Sequence, residues 1–331
     1  MSMTGNGDSG EGASDLAARA AWLSHVGGLT QDQIAQEMGL SRQRVQRLVA
    51  RAVADGLIKV RLDHRMARPM ELEAALRRRF ALKFARVAPA VGAGGDPVAA
   101  IAPIAAAEIE RVLACPEPRV IALGTGRAMR AAVEEIAPMD CPRHRIVSLI
   151  GNIAPDGSAS FFDVVMRLAD KVRARHYPMP LPVVTESPEE LRLLTSVAPV
   201  ARTRALAAEA DHVFVGVGQM SDHAPILEDG FVNREELAMM RNAGAVGEIA
   251  GWAYDSEGRY LDIDRNRRVG GVRLEPGADR HTTAVAAGPD KLEAIRAAIA
   301  GRLVNRLITD EKTAESLLDR GQARRPSETQ G

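Results

Sequence analysis

From residue 87 onward, short apolar runs that end in glycine alternate with stretches of helical periodicity. The clearest runs cover residues 119–123, 145–150 and 212–217, and they are followed by Gly124, Gly151 and Gly218. Alternating strands and helices build a mainly parallel sheet that is covered by helices. The sequence therefore predicts an α/β body over residues 87–319.

Ligands of open α/β sheets bind outside the carboxyl ends of the strands, where these glycines lie. Gly124, Thr125, Gly126 and Arg127 follow one strand and open a predicted helix of residues 128–136. Backbone N–H groups of such a turn can face an anion, and the Thr125 hydroxyl and the Arg127 guanidinium can add donors. Any strand-to-helix turn favours glycine, so this turn predicts a ligand only together with other features.

A second strand-to-helix turn covers residues 286–291 and includes Gly288. Its Lys291 could present a positive charge to a phosphate or a donor to hydroxyl groups, or it could be a solvated lysine of the first helical turn. Two such turns in one sheet favour a small polar or phosphorylated ligand.

A polar loop of residues 151–160 follows another predicted strand. Its side chains could bind sugar hydroxyls, or they could simply be the residue types that form turns. The polar residues of the loop are Asn152, Asp156, Ser158 and Ser160. We expect Asn152, Asp156 and Ser158 to contribute to the ligand site.

Residues 29–57 have the spacing of a helix-turn-helix. The first helix has an apolar side formed by Leu29, Ile34, Ala35 and Met38. Gly39 then interrupts the pattern, and Ser41 restarts it as an N-cap. The second helix is expected to bury an apolar face made of Val45, Leu48 and Val49.

The opposite face of the second helix is rich in arginine and glutamine. A guanidinium can bond guanine O6 and N7 together, and a glutamine amide can do the same with adenine N6 and N7. Such a face can also simply be solvated, but the preceding helix, the glycine turn and the serine cap occur together, which favours binding to double-stranded DNA. The residues expected to contact DNA are Thr30, Gln31, Ser41, Arg42, Gln43, Arg44, Gln46, Arg47 and Arg51.

The overall charge does not hold the chain on nucleic acid. Lysine and arginine total 43, as do aspartate and glutamate, so the formal net charge is zero. Attraction to DNA must therefore come from local clustering, and basic residues are concentrated in residues 42–65. The aromatic fraction of 3% argues against a stacking surface for single-stranded nucleic acid.

Composition and periodicity suggest how the chain is divided. We expect a disordered lead at residues 1–14, a winged helix-turn-helix domain at 15–66 whose wing strand is residues 57–62, and a disordered tail at 320–331. Residues 67–86 contain an amphipathic helix with Leu72, Leu76 and Phe80 four residues apart. This linker helix either joins subunits or packs on its own domain.

Several chemistries have no support in the sequence. Cys115 and Cys141 fit no metal-ligand spacing, and we expect both to be free residues of the core or of a loop. The histidines are scattered, and no motif of a zinc site or of a serine nucleophile is present, so we expect no metal and no cofactor. The chain shows no secretory signal, lipidation motif or membrane-spanning run, which predicts a cytoplasmic protein without a membrane partner.

Three segments resemble a known family. They are residues 30–35 together with Ser41, Arg42, Val45, Arg47 and Leu48, then residues 244–249, and finally residues 307–311. In order and spacing they are similar to the SorC family of sugar-responsive bacterial regulators, over about residues 17–318. The resemblance implies a winged-helix head and a Rossmann-like α/β effector domain similar to sugar-phosphate isomerases and glucosamine-phosphate deaminases, usually assembled as a tetramer.

The resemblance also assigns residues by position. The family's phosphate-binding turn falls on residues 124–127, and its late lysine falls on Lys291. Many relatives have a hydroxyl residue just after the turn, where this chain has Ala128, although Arg127 could compensate by its charge. The loop of residues 151–160, with residues 176–182, is similar to the polyol branch, which includes erythritol-type regulators.

The function implied is sequence-specific transcriptional regulation of carbohydrate or sugar-alcohol catabolism. The regulator would be a homodimer or homotetramer, and a sugar, polyol or sugar phosphate would relieve its repression. The alternative is a sugar-phosphate isomerase or deaminase with an attached DNA-binding head, in which Asp222-His223 or Glu228-Asp229 would act as general base. Since a fold does not carry its chemistry with it, we expect a regulator and not an enzyme.

Overall fold

The computed structural model describes residues 8–55, 57–58, 66–92, 94–154, 157–158 and 164–319. The chain forms two compact units, Met1–His64 and Arg65–Gly331.

In the described part of the N-terminal unit there are three helices, which are α1 (Asp8–His25), α2 (Gln31–Met38) and α3 (Arg42–Ala54). Thr30 and Gln33 form a capping box that begins α2, and Gly39 ends it with φ of 64°. The Ser41 hydroxyl then accepts a hydrogen bond from the Arg44 N–H at 3.3 Å and begins α3. The predicted helix-turn-helix and its serine cap are confirmed.

Small apolar side chains hold the three helices together. The fully or nearly fully buried ones are Ala17, Ala20, Ala21, Ile34, Val45, Leu48 and Ala52. Val49, which we expected on the same face, is partly buried against this cluster. The alanines of α1 let the other two helices approach closely, since a small side chain needs little space between helix axes.

The start of the first helix and the predicted wing differ from expectation or lie outside the described residues. Helix α1 begins at Asp8, so the expected disordered lead of residues 1–14 is wrong from that point on. The predicted wing lies mostly outside the described residues, and Leu57 and Ile58 are not in a strand.

The helices of the C-terminal unit are α4 (Ala67–Phe80), α5 (Pro97–Leu113), α6 (Arg127–Glu135), α7 (Val164–Val172), α8 (Pro188–Ser196), α9 (Ala198–Ala208), α10 (Pro225–Glu228), α11 (Arg234–Asn242), α12 (Asp264–Arg268), α13 (Leu292–Ala300) and α14 (Glu311–Asp319). Its strands are β1 (Phe84–Ala88), β2 (Val120–Leu123), β3 (Arg145–Ile153), β4 (Arg175–Pro182), β5 (His212–Val215), β6 (Gly218–Gln219), β7 (Gly247–Ile249), β8 (Trp252–Tyr254), β9 (His281–Val285) and β10 (Arg306–Asp310).

Seven strands form the main sheet in the order β1-β10-β9-β5-β2-β3-β4, and every pairing is parallel. One apolar cluster includes side chains of α4, α9, α13 and α14, and another includes side chains of α5, α6 and α7. Strand β2 is buried along its whole length, as a strand covered on both faces must be. The predicted α/β body is confirmed.

The chain order creates a switch point at the centre of this sheet. From β2 the chain moves outward to β3 and β4, and it then returns to β5 on the other side of β2. Adjacent strands whose connections lead in opposite directions leave a crevice at their carboxyl ends. A small antiparallel sheet of β6, β7 and β8 begins just beyond the end of β5.

Helix α4 packs on the C-terminal unit. Leu72 and Leu76 are buried in its core, and the Glu73 carboxylate accepts a hydrogen bond from the Arg86 guanidinium at 2.8 Å. Strand β1 begins at Phe84, so the α/β body starts before residue 87, where we had placed its boundary. The apolar alternation there is short, which hid the strand from the sequence pattern. A role of α4 in joining subunits stays a prediction.

Strand β4 lies at one edge of the main sheet, and among the described strands it pairs with β3 alone. Pro178, Pro180 and Pro182 occupy alternate positions along it. Directly after the strand, the Val183 N–H donates to the Ile153 carbonyl at 2.9 Å.

Candidate effector cavity and DNA-binding helix

A cavity of about 350 Å³ opens at the carboxyl ends of β2, β5 and β9. The turn of residues 124–127 and the turn of residues 287–291 both line it. The structure thus brings together the two strand-to-helix turns that the sequence singled out, at the switch point of the sheet. A cavity of this size matches the small end of ligand pockets, about 300–1,000 Å³.

The first turn is shaped by its glycines. The Gly124 N–H donates to the Phe214 carbonyl of the neighbouring strand at 2.8 Å, and a Cβ at Gly124 would press against Val215 at 3.2 Å. Gly126 caps α6 with φ of 113° and ψ of 170°, a conformation available essentially to glycine alone. Helix α6 starts at Arg127, so its positive N-terminal end lies at the cavity wall.

The second turn is capped by a glycine with nearly the same backbone angles as Gly126. Gly288 has φ of 117° and ψ of 151°, and its N–H donates to the Thr313 hydroxyl at 2.8 Å. The Lys291 Nζ donates to the Val217 carbonyl at 2.6 Å, across the end of β5. Burial lowers the pKa of Lys291, and the nearby Glu248 carboxylate opposes this shift. Lys291 is therefore held against the cavity and is not a freely solvated lysine.

Arg127 faces two carboxylates. Its guanidinium lies 2.7 Å from the Glu228 carboxylate and 3.6 Å from that of Asp229. The hydrogen bond with Glu228 raises the pKa of Arg127, whereas burial raises the pKa of Asp229. An anionic ligand at this turn must therefore compete with Glu228 for the guanidinium.

Four charged residues that line the cavity were not singled out from the sequence, and they are Asp96, Glu248, Arg265 and Asp290. The Glu248 carboxylate accepts a hydrogen bond from the Gly251 N–H at 2.8 Å, and burial raises the pKa of this carboxyl. Arg265 is only 6% exposed, and burial lowers its pKa. The family motif of residues 244–249 contains Glu248 and could have pointed to it, whereas Arg265 lies in a run of charged residues that looks solvated.

The polar loop is not part of the cavity as described. Asn152 and Ser158 do not line it, and Asp156 and Ser160 lie outside the described residues. The side-chain oxygen of Asn152 is buried without a hydrogen-bond partner among the described residues. Effector contacts by Asn152, Asp156 and Ser158 stay a prediction.

In the N-terminal unit, α3 presents a polar face. Its exposed residues include Arg42, Gln43, Arg44, Gln46, Arg47 and Arg51. Arg42 lies 3.3 Å from Asp32, and Arg51 lies 3.0 Å from Asp55. Exposed pairs of this kind are worth only about 0–1 kcal/mol, so they leave the arginines available to another partner.

The remaining predicted DNA contacts lie at helix starts. Thr30 and Ser41 are N-caps, and Gln31 is the first residue of α2. Their side chains thus have structural roles in the motif, and their contact with DNA stays a prediction.

Asp222, His223 and Glu228, three of the residues proposed for the enzymatic alternative, are poorly suited to it. Asp222 is exposed and lies 2.8 Å from the Arg241 guanidinium, whose hydrogen bond lowers the pKa of this carboxyl. Glu228 is paired with Arg127, and His223 is exposed and lies 3.8 Å from Glu228. A general base needs a pKa near the working pH, which Asp222 lacks.

Neither cysteine forms a disulfide, as expected. No group of histidine, cysteine, aspartate and glutamate side chains suited to a metal ion occurs in the part of the chain that the structure describes. Within those same residues, every helix is too short or too polar to cross a membrane.

Comparison with known families covers both units. The Sugar-bind model, which represents a sugar-binding domain, matches residues 64–319, and a model of the MarR family matches residues 20–66. The erythritol catabolism regulatory protein EryD of Brucella abortus is 33% identical over 304 residues, which is 92% of this chain and 96% of EryD. The transcriptional regulator LsrR of Klebsiella pneumoniae is 31% identical over 309 residues, 92% of this chain and 93% of LsrR.

Solved structures agree on the fold. The full-length sorbitol operon regulator SorC from Klebsiella pneumoniae superposes with a TM-score of 0.69 at 24% identity, covering 92% of this chain and 99% of that one. A DeoR family transcriptional regulator from Listeria monocytogenes gives 0.69 at 21% identity, covering 75% of this chain and 99% of that one.

These relatives are named as regulators, LsrR as a transcriptional regulator, and not as enzymes. The match of the Sugar-bind model covers most of the chain, and a helix-turn-helix precedes it. The chain therefore belongs to the SorC family of sugar-binding transcriptional regulators.

Proposed function

We propose that this regulator represses genes of sugar or sugar-alcohol catabolism and leaves its operator when a polyol or sugar phosphate binds in the cavity at the switch point. The observation that carries the proposal is the convergence of the Gly124 turn and Lys291 on one cavity. A helix N-terminus and a lysine beside one another form an anion site.

The chemistry of the cavity supports a small polyhydroxylated ligand with an anionic group. Lys291 already donates to the Val217 carbonyl, so it is positioned before any ligand binds. Glu248 adds an acceptor for hydroxyl groups. One relative is named for erythritol catabolism and one neighbouring structure for the sorbitol operon, so polyols and their phosphates are the first ligands to test.

Several finer features belong to the same proposal. The head would be winged, and paired heads of a homodimer or homotetramer would bind half-sites of an operator in the cytoplasm. The α/β body would share its ancestry with sugar-phosphate isomerases while lacking their chemistry. Control of DNA binding requires that the effector bind the DNA-competent and DNA-incompetent states with different affinity.

The test uses the full-length protein. Genomic DNA fragments that bind the purified protein would be isolated and labelled. Fluorescence anisotropy would then give the affinity of the protein for each fragment with and without erythritol, sorbitol and their monophosphates. We expect at least one compound to weaken DNA binding. Operator affinity that stays constant across a wide panel of polyols and sugar phosphates would remove the effector part of the proposal.

Two protein variants separate DNA binding from the response to the effector. The double variant of Arg42→Ala and Arg47→Ala should lose the fragments but still bind the compound. The variant Lys291→Met should bind the fragments like the wild type but lose the response to a phosphorylated compound. If Lys291→Met kept the full response, the anion site would lie elsewhere.

A further inference from the structure

One side of the cavity is formed by residues 220–232, which we call the cover segment. It leads from β6 to α11 and contains α10. Pro225, Ile226, Asp229 and Phe231 of this segment line the cavity. Its short helix is closed by backbone hydrogen bonds, and the Asp229 N–H donates to the Pro225 carbonyl at 2.8 Å. A ligand in the cavity would therefore lie against the cover segment.

The cover segment packs separately from the main sheet. Its apolar side chains and those of α11 form a small cluster, which includes Met220, Ala224, Ile226, Val232, Leu237 and Met240. The two larger clusters of the C-terminal unit do not include these side chains. Parts of a protein that share few buried apolar contacts can separate at low cost in free energy. A shift of the cover segment would thus leave the packing of the main sheet intact.

Arg127 ties the cover segment to α6. Its Nη2 atom donates to the Glu228 carboxylate at 2.7 Å and lies 3.6 Å from that of Asp229. Arg127 is also the first residue of α6, whose positive N-terminal end attracts negative charge. The cover segment thus brings its own carboxylates to the turn at which an anionic ligand group would bind.

We propose that Glu228 is a built-in competitor for the anionic group of the effector. When that group binds Arg127, Glu228 leaves the guanidinium, and the cover segment is released from α6. The inference rests on the proposed function and adds how this cavity responds to an anionic effector.

The strengths of the contacts allow this exchange. The side chain of Arg127 is 49% exposed and that of Glu228 is 40% exposed, so solvent weakens their ion pair. A phosphate at the turn would gain backbone N–H groups of the α6 N-terminus in addition to the guanidinium, which Glu228 alone does not use. The bound phosphate would then repel the carboxylates of Glu228 and Asp229, because like charges at short range repel each other.

Isothermal titration calorimetry on the full-length protein measures the competition. The phosphate compounds are inorganic phosphate, erythritol 4-phosphate and sorbitol 6-phosphate, and their neutral counterparts are erythritol and sorbitol. The protein variants are Glu228→Gln, Arg127→Gln and the double variant that combines them. Glu134→Gln is the matched control, because Glu134 forms an exposed ion pair with Arg130 at 2.9 Å on the same helix. Thermal unfolding shows whether each variant folds.

Glu228→Gln should bind the phosphate compounds about two- to fivefold more tightly than the wild type, the range expected when a competing exposed ion pair is lost. Its affinity for the neutral polyols should not rise. Arg127→Gln should bind the phosphate compounds more weakly than the wild type. In the double variant most of the gain from Glu228→Gln should disappear, because no guanidinium remains to be freed. Glu134→Gln should match the wild type.

Hydrogen exchange measured by mass spectrometry follows the cover segment directly. Without any added compound, the amides of residues 220–232 should exchange several times faster in Glu228→Ala than in the wild type, because the tie to α6 is missing. The wild type should show the same change when erythritol 4-phosphate or sorbitol 6-phosphate binds. Peptides of β2 should exchange at the same rate in every sample.

Three results would overturn the proposal. The first is a Glu228→Gln variant that binds no phosphate compound more tightly than the wild type, including a panel in which neither protein binds any of them. The second is an equal gain from Glu228→Gln with and without Arg127, which would indicate general charge repulsion and no competition for the guanidinium. The third is unchanged exchange of residues 220–232 in Glu228→Ala, which would show that the ion pair does not hold the segment.

Failure of the proposed function looks different. In that case no compound releases DNA in the anisotropy assay, while Glu228→Gln still tightens phosphate binding and Glu228→Ala still frees the cover segment. If only the role of Glu228 is wrong, a compound still releases DNA, and Glu228→Gln binds each phosphate compound like the wild type.

Discussion

The carboxylate of Glu248 occupies the space that a side chain at residue 218 would need. Gly218 in β6 pairs with Glu248 in β7, and a Cβ on Gly218 would overlap the Glu248 Oε1 atom. Both residues line the cavity. The absence of a side chain at residue 218 therefore sets the position of the one carboxylate that acts on both Lys291 and Arg265.

The variant Gly218→Ala should displace Glu248 while leaving the fold intact, because the obstructing atoms are the flexible end of a side chain. We expect effector affinity to fall by about 1 kcal/mol, the usual value of one hydrogen bond. Calorimetry with the tightest-binding compound measures this change. Glu248→Gln is the comparison, because it removes the charge of the side chain but keeps its shape, whereas Gly218→Ala moves the side chain. Unchanged affinity in Gly218→Ala would mean that the position of Glu248 does not matter for binding.

We expect the two glycines that cap the turns at the cavity to be needed for full stability. Gly126→Ala and Gly288→Ala each place a Cβ on a backbone with φ above 110°, which should cost about 1–3 kcal/mol of unfolding free energy. The matched control is Gly12→Ala, since Gly12 lies in α1 with open space around it and without a positive φ. Urea denaturation compares the three. Equal losses at all three positions would contradict a special role for the two caps.

We expect the exposed arginines of α3 to be needed for operator binding. Arg42→Ala or Arg47→Ala should weaken operator binding by about 1–3 kcal/mol if the arginine contacts a base, and should relax specificity at that base pair. Arg19→Ala is the control, because Arg19 is an exposed arginine of α1 in the same unit. Anisotropy with operator fragments gives the affinities. Wild-type affinity in both α3 variants would show that another surface contacts the bases.

The stacked rings of His212 and His281 predict a pH effect on stability. Their centroids lie 4.8 Å apart, and burial, together with the charge of His281, lowers the pKa of His212 to about 4. An unfolded histidine takes up its proton near pH 6.5, but the folded His212 does so only near pH 4. Stability is therefore lost as the pH falls from about 6.5 to about 4.

We expect this loss to be no more than about 1–2 kcal/mol, because the ring is partly exposed and solvent screens it. His212→Gln should reduce the difference in unfolding free energy between pH 7 and pH 4.5, whereas His25→Gln on α1 should not. Urea denaturation at both pH values provides the measurement. The same pH dependence in His212→Gln and the wild type would rule out this histidine as the cause.

The sequence predicted the features that depend on local pattern. The strand end at Gly124, the N-cap at Ser41 and the apolar face with Val45 and Leu48 follow from spacing along the chain. The other two predicted strand ends are wrong, because β3 continues through Gly151 to Ile153, and β5 ends at Val215 while Gly218 begins β6. The partners of charged side chains did not follow, because they lie far away in sequence. Lys291 reaches Val217 and Arg127 reaches Glu228, and neither contact leaves a signal within either segment.

Tertiary burial explains why Arg265 was not predicted from the sequence as a cavity residue. Arg265 and Arg268 belong to a run of charged residues that resembles a solvated surface, yet the tertiary fold buries Arg265. The start of α1 at Asp8 was missed for another reason, since glycine content suggested a loop there.

The prolines of β4 limit how copies of this chain can associate. Three of the eight residues of β4 are prolines, which lack an N–H that could donate to a further strand. An edge strand with so few donors is a poor template for pairing with a strand of another copy. We therefore expect contacts between copies on this side to use side chains and helices instead of an extended sheet.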